Sequence, residues 1–122
     1  IDASIGSILW HEGDPDCTVE VRGGSAVSFE SERGKLLEQK LAASGKNGFV
    51  LAEFGIGTNP FLKISGNLLE DEKVKGTIHL AFGNSASMGG NNDVPVHIDG
   101  MVRNPDVFVD GIQVMHKGIW KV

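Results

Sequence analysis

Hydrophobic and polar positions alternate with the two-residue period of β-strands along the first third of the chain. Strands are predicted at 5–9, 18–21 and 26–29. Gly23 and Gly24 separate the second strand from the third, and a two-glycine step between alternating runs is typical of a β-hairpin. The N-terminal part of the chain is therefore predicted to be an antiparallel sheet.

The hydrophobic period changes after residue 30. Leu36, Leu37 and Leu41 recur at helical spacing, which predicts an amphipathic helix. Ser31 is suited to cap its N-terminus, and Gly45 is suited to cap its C-terminus. This is the main helix that the sequence predicts.

Three apolar runs predict further strands, at 49–54, 77–82 and 94–102. The first run is almost unbroken, which indicates a buried central strand. Gly55 and Gly57 are expected to end it, because glycine commonly marks a turn. The other two runs are also predicted to be buried, with a glycine-rich polar loop between them.

The remaining pattern predicts a short helix at 67–73, a hairpin and a last strand that ends near Val122. Asn67 and Glu70 have capping-box spacing, and Asp110 with Gly111 suits a type I′ hairpin turn. The chain as a whole is predicted to be an α+β, β-rich single domain over 1–122, with short mixed strands and hairpins and one main helix.

The composition of these 122 residues is that of a globular protein, with 40% hydrophobic and 22% charged residues. The net charge of −5, without a basic cluster, argues against nucleic acid as a partner. No apolar run approaches the roughly 20 residues that span a bilayer. The single cysteine, Cys17, favours a reducing compartment and hence a cytoplasmic location. The chain starts at Ile1 in mid-pattern, so we expect a piece of a larger protein.

Two histidines and two carboxylates stand out on the predicted strands. His97 and Asp99 are two residues apart on one strand and are expected to point to one face. His79 lies on the preceding strand, and Glu53 lies near the end of the first apolar run. Imidazole and carboxylate together are suited to a divalent metal such as Zn, Co, Mn or Fe(II).

Each of these residues also has a purely structural interpretation. His79 would then be a core histidine that hydrogen-bonds a neighbour, and Glu53 would be solvated or paired with Lys63. A metal is favoured because it offsets the cost of desolvating carboxylates on apolar strands. Asp71 and Glu72 near the short helix are interpreted as favourable to the helix dipole, or as reserve groups that assist the metal. No residue is assigned as catalytic.

Four sequence blocks follow one another along the chain: A-E-F-G-I-G-T-N-P at 52–60, D-E-K at 71–73, G-T-x-H-x-A-F-G at 76–83 and H-x-D-G at 97–100. Together they resemble the C-terminal part of the metal-dependent aminopeptidase T family, which includes leucyl aminopeptidase-like proteins. The resemblance covers nearly the whole chain.

This resemblance implies a cytoplasmic metalloprotease, a hydrolase that removes N-terminal residues from peptide substrates at a two-metal centre. Glu53, His79, His97 and Asp99 would be its metal ligands, and the protein would form a homodimer. A further glutamate of that family lies in an upstream segment with no match here. The isolated chain is therefore expected to be catalytically inert.

Two alternatives remain open. The family's peptidases carry a tyrosine where Ala86 stands, and this chain contains no tyrosine. The Fe(II)-dependent ring-cleaving dioxygenases of the dihydroxypyridine type are similar to these proteins and also use an H-x-D pair, so the chain is alternatively part of a non-haem Fe(II) dioxygenase. The third possibility is a non-catalytic dimerisation module.

Overall fold

The computed structural model describes residues 17–122 and the backbone of residues 3–9. Within these residues the chain forms nine strands, two α-helices and two short 3₁₀ helices, at Gly45–Phe49 and Ala86–Met88. The strands are β1 (Ala3–Leu9), β2 (Cys17–Arg22), β3 (Ser25–Glu30), β4 (Leu51–Ile56), β5 (Thr77–Gly83), β6 (His97–Arg103), β7 (Val107–Val109), β8 (Ile112–His116) and β9 (Ile119–Trp120). The α-helices are α1 (Ser31–Ala42) and α2 (Leu68–Asp71).

Six strands form the main sheet in the order β3-β2-β1-β6-β5-β4, and β7, β8 and β9 form a second, smaller sheet. Neighbouring strands in both sheets run antiparallel. The predicted α+β, β-rich class with one main helix is confirmed. β5 is buried along its whole length between β4 and β6.

The hydrophobic core lies between α1 and one face of the main sheet. Leu37 and Leu41 of α1 are buried there, together with Val19 and Phe29 of the β2–β3 hairpin. β5 contributes alternate residues, Ile78, Leu80 and Phe82, to the same core. Because side chains alternate along a strand, the residues between them lie on the opposite face of β5.

The predicted helix is present but ends earlier than its pattern suggested. Ser31 is the first residue of α1 and Glu30 occupies the N-cap position, but the Ser31 hydroxyl does accept a hydrogen bond from the Gly34 N–H at 3.2 Å. Gly45 does not cap the C-terminus, since α1 ends at Ala42 and Gly45 begins a 3₁₀ helix. Neither α1 nor α2, the α-helices in the described part, is long and apolar enough to cross a membrane.

The apolar run at 49–54 is not a central strand. β4 begins two residues later than predicted and lies at the edge of the main sheet. Gly55 lies inside β4 rather than ending it, for a steric reason that concerns the candidate site. β6 likewise begins at His97, so the apolar residues 94–96 precede it.

Two predicted hairpins and one predicted helix cap are confirmed. The β2–β3 and β7–β8 hairpins are both present. Asp110 and Gly111 have φ values of 50° and 81°, the positive values that a type I′ turn requires. The Asn67 side chain caps α2 by accepting a hydrogen bond from the Leu69 N–H at 3.1 Å.

The Asp106 carboxylate accepts three hydrogen bonds within the small sheet. Asp106, which precedes β7, accepts hydrogen bonds from the Lys117 backbone N–H at 3.0 Å, from His116 Nδ1 at 2.7 Å and from Gln113 Nε2 at 3.1 Å. The hydrogen bond from Lys117, followed by that from His116, lowers the pKa of Asp106 below its usual range.

We predict that Asp106→Asn destabilises the chain at neutral pH and has less effect in acid. A carboxyl whose pKa is lowered by folding stabilises the folded state above its unfolded pKa, about 3.9, and that contribution is lost as the pH falls through the folded value. Urea denaturation from pH 7 to pH 2.5 measures the difference from wild type. A difference that grows in acid would contradict the assignment.

We also predict that Leu41→Ala lowers the free energy of unfolding by about 2–5 kcal/mol, because it opens a cavity in the core. Leu36→Ala, on the same helix at a position 45% exposed, should cost less than about 1 kcal/mol. Thermal and denaturant unfolding of both variants provide the comparison. Equal losses would show that α1 is not packed as described.

Candidate metal centre

The register of β4, β5 and β6 brings two carboxylates into one row of the main sheet. Glu53 pairs with Ala81, and Ala81 pairs with Asp99 on its other side. Residues directly opposite in antiparallel strands point to the same face. Glu53 and Asp99 therefore flank the buried methyl group of Ala81.

The two histidines occupy the neighbouring rows of the same face. His79 lies two residues before Ala81 and pairs with Gly55, while His97 lies two residues before Asp99 and pairs with Gly83. On its other side His79 pairs with Met101 of β6. The face opposite the hydrophobic core thus carries all four residues of the predicted ligand set.

The four side chains are within a few ångströms of one another. Glu53 Oε1 is 3.2 Å from His79 Nε2, and Glu53 Oε2 is 3.6 Å from His97 Nε2. His97 Nε2 is also 3.3 Å from Asp99 Oδ1. One ligand atom each from Glu53, His97 and Asp99 lies within 4.8 Å of the other two, which is a group that could hold a metal ion.

A backbone carbonyl fixes the orientation of His97. Its Nδ1 is 2.7 Å from the carbonyl oxygen of Asn84, directly after β5. Because a carbonyl only accepts, Nδ1 carries the hydrogen, and in the neutral ring Nε2 presents a lone pair to Glu53 and Asp99. A lone pair facing two carboxylates is repulsive, and a cation among the three groups removes that repulsion. This arrangement fits a metal ion.

His79 reaches the cluster through Glu53. The carboxylate only accepts, so His79 Nε2–H donates to Glu53 Oε1. His79 Nδ1 is buried and has no hydrogen-bond partner among the described residues. The imidazole is nearly enclosed, at 9% side-chain exposure, whereas the other three side chains are 27–32% exposed. His79 thus borders the group of three on its buried side.

The steric role of Gly55 explains why a glycine lies within β4. A Cβ atom at position 55 would be 2.0 Å from His79 Nε2, far inside any van der Waals contact. The His79 ring therefore occupies the space that a side chain at position 55 would fill. This role could not be predicted from the sequence, because glycine within an apolar run is most often a turn residue.

The other candidate groups are engaged elsewhere. Asp71 accepts hydrogen bonds from the backbone N–H groups of Ser65 and Gly66, at 2.7 and 2.8 Å, and so orders the loop before α2. Glu72 forms an ion pair with Lys73. Neither joins the group of three.

No protein-family model matches this sequence, and no curated protein matches it. A solved structure does match: 2,5-dihydroxypyridine dioxygenase from Pseudomonas putida superposes with a TM-score of 0.72 at 18% sequence identity. The alignment covers 86% of this chain and 33% of that one, so this chain spans about a third of the dioxygenase's length. The similarity shows a shared fold.

The comparisons overturn the resemblance to the aminopeptidase T family. No family model or curated protein supports it, and the matching structure is a dioxygenase rather than a peptidase. The motifs that carried the resemblance are short and rich in glycine, and strand-turn segments of that kind arise from backbone geometry as well as from common descent. The assignments as aminopeptidase, hydrolase and metalloprotease are wrong. The homodimer and the absence of nucleic-acid and membrane partners stay predictions.

We predict that Gly55→Ala displaces the His79 ring and lowers the free energy of unfolding by about 1–3 kcal/mol, the usual cost of overpacking. Gly34→Ala is the matched control, because a Cβ there meets its neighbours at 3.5 Å and alanine favours a helix. Denaturant unfolding measures stability, and the imidazole NMR signals report the ring. Wild-type stability and unchanged His79 signals in Gly55→Ala would contradict the packing described.

Proposed function

We propose that Glu53, His97 and Asp99 bind a divalent metal, and that the chain is the metal-binding part of a non-haem Fe(II) dioxygenase that cleaves a hydroxylated pyridine ring. The observation that carries this proposal is the group of three ligand atoms within 4.8 Å. The group lies on a fold shared with 2,5-dihydroxypyridine dioxygenase, which supports the reaction class.

The donor set is suited to such a metal. One imidazole and two carboxylates form the group, and a second imidazole, that of His79, lies beside it. Nitrogen and oxygen donors of this kind accept Fe(II), Mn or Zn, and ligation from one side leaves positions open. Fe(II), when bound, would supply the one-electron chemistry that allows oxygen to react with an aromatic ring.

The residues around the group have distinct roles in this proposal. Glu53 and Asp99 supply two negative charges, which balance a divalent cation. The Asn84 carbonyl holds His97 with Nε2 directed at the ion, and hydrogen bonding to the second nitrogen of a ligand histidine commonly fixes its orientation in this way. His79 is a positioning residue for Glu53, because its Nε2–H restrains one carboxylate oxygen.

We predict that Asp99→Asn weakens metal binding by about 100-fold, which corresponds to about 2.7 kcal/mol. The substitution removes one of the two charges while preserving the shape of the side chain. Asp110→Asn is the matched control, since it makes the same change of charge on an exposed hairpin turn, where asparagine tolerates positive φ. Calorimetric titration with Mn²⁺ or Zn²⁺ measures both.

An equal effect of the two substitutions would show that only net charge matters, and would contradict a site at Asp99. Circular dichroism of both variants must match wild type, so that lost binding is not attributed to unfolding.

The reaction class is tested in the whole protein that carries this chain. We expect oxygen uptake when 2,5-dihydroxypyridine and Fe(II) are both present, and none when either is omitted or when Zn²⁺ replaces iron. Loss of ring absorbance under air, but not under argon, gives a second readout. Metal binding without any oxygen uptake on hydroxylated pyridines would overturn the dioxygenase assignment.

A further inference from the structure

A groove lies directly beside the metal-binding group. Its volume is about 640 Å³, which exceeds that of a molecule with one aromatic ring. The groove is shallow and widely open to solvent. The residues that line it are Asn84, Ser87, Asp93, Val94, Pro95 and His97.

His97 belongs to both the groove and the metal-binding group. His97 is among the residues that line the groove, and its Nε2 lies 3.3 Å from Asp99 Oδ1 and 3.6 Å from Glu53 Oε2. A ring bound in the groove would therefore contact His97, which is one of the three proposed ligands of the ion. This adjacency is what a substrate site requires.

The segment that forms the groove is held by a network of hydrogen bonds. The Asn84 side chain donates to the Val94 carbonyl at 2.8 Å and accepts from the Ala86 N–H at 2.9 Å. The Asn92 side chain donates to the carbonyls of Gly83 and Asn47, at 2.6 and 2.9 Å. These hydrogen bonds hold both ends of the segment 84–94 in place, which limits the ordering that a ligand must impose.

The charged side chain of the lining is the Asp93 carboxylate. Val94 and Pro95 offer an apolar surface to a ring, and Asp93 adds a carboxylate that Asn84 Nδ2 orients at 3.2 Å. The lining residues include no lysine or arginine. Once a divalent ion balances Glu53 and Asp99, the negative charge that remains beside the groove is that of Asp93.

From these features we infer that the groove binds the ring of a small hydroxylated N-heterocycle without a carboxylate, and that Asp93 selects against carboxylated analogues. A ring N–H or hydroxyl group of the ligand donates a hydrogen bond to the Asp93 carboxylate. A carboxylate on the ligand is instead repelled by the negative charge of Asp93. This inference rests on the proposed function, since it takes the metal-binding group to be part of a substrate site. It assigns Asp93 as a specificity-determining residue.

The test compares two probes that differ only by a carboxylate: 2-hydroxypyridine and 6-hydroxynicotinate. The chain is loaded with Zn²⁺, which has no redox chemistry, and the affinity for each probe is measured by NMR titration. We expect wild type to prefer 2-hydroxypyridine, and Asp93→Asn to shift the ratio of affinities toward 6-hydroxynicotinate by about three- to tenfold, as for a charge pair near the surface.

Asp110→Asn serves again as the control and should leave the ratio unchanged, because its charge is removed from the hairpin turn and not from the groove. An unchanged ratio in Asp93→Asn would overturn the inference, as would failure of both probes to bind wild type. A ratio that depends on Asp93 in a protein without oxygen uptake would leave the groove assignment standing and overturn the dioxygenase function alone.

Discussion

The candidate site depends on one constraint, the strand register that places two carboxylates on either side of the buried methyl group of Ala81. Ligand oxygens of Glu53 and Asp99 lie within 4.8 Å of each other. Two negative charges at that separation repel by about 1 kcal/mol in water and by about 3–4 kcal/mol at the effective dielectric of a protein surface. The strand register enforces this arrangement. A neutral imidazole does not offset the repulsion between the two carboxylates, whereas a positive charge between them does.

The two faces of β5 have different roles: one packs into the hydrophobic core, and the other carries side chains of the candidate site. Ile78, Leu80 and Phe82 pack into the core beneath α1, so the sheet is held by apolar burial that is independent of the ion. The opposite face carries the polar groups: His79 is nearly enclosed there, and the three residues of the group are 27–32% exposed. Gly55 pairs with His79 in the sheet, and its missing side chain leaves room for the His79 ring.

Much of this arrangement was predictable from local patterns. The Gly23-Gly24 turn, the Asp110-Gly111 hairpin and the Asn67 cap are short-range signals, because each depends on the backbone preference of one or two residues. The H-x-D spacing correctly indicated a shared face for His97 and Asp99. The edge position of β4 was not predictable, since a continuous apolar run does not reveal which strands pair. The Asn84 carbonyl was missed because every residue has one, and only the tertiary fold selects it.

The central claim is that Glu53, His97 and Asp99 together bind a single divalent ion. The most direct measurement is anomalous X-ray diffraction from crystals of this chain grown with Mn²⁺, recorded on both sides of the metal absorption edge. We predict one strong anomalous peak, from an ion ligated by Glu53, His97 Nε2 and Asp99, with the hydrogen bond between His97 and the Asn84 carbonyl intact. A peak elsewhere on the chain, or an ion-free cluster in crystals whose solution contains saturating metal, would contradict it.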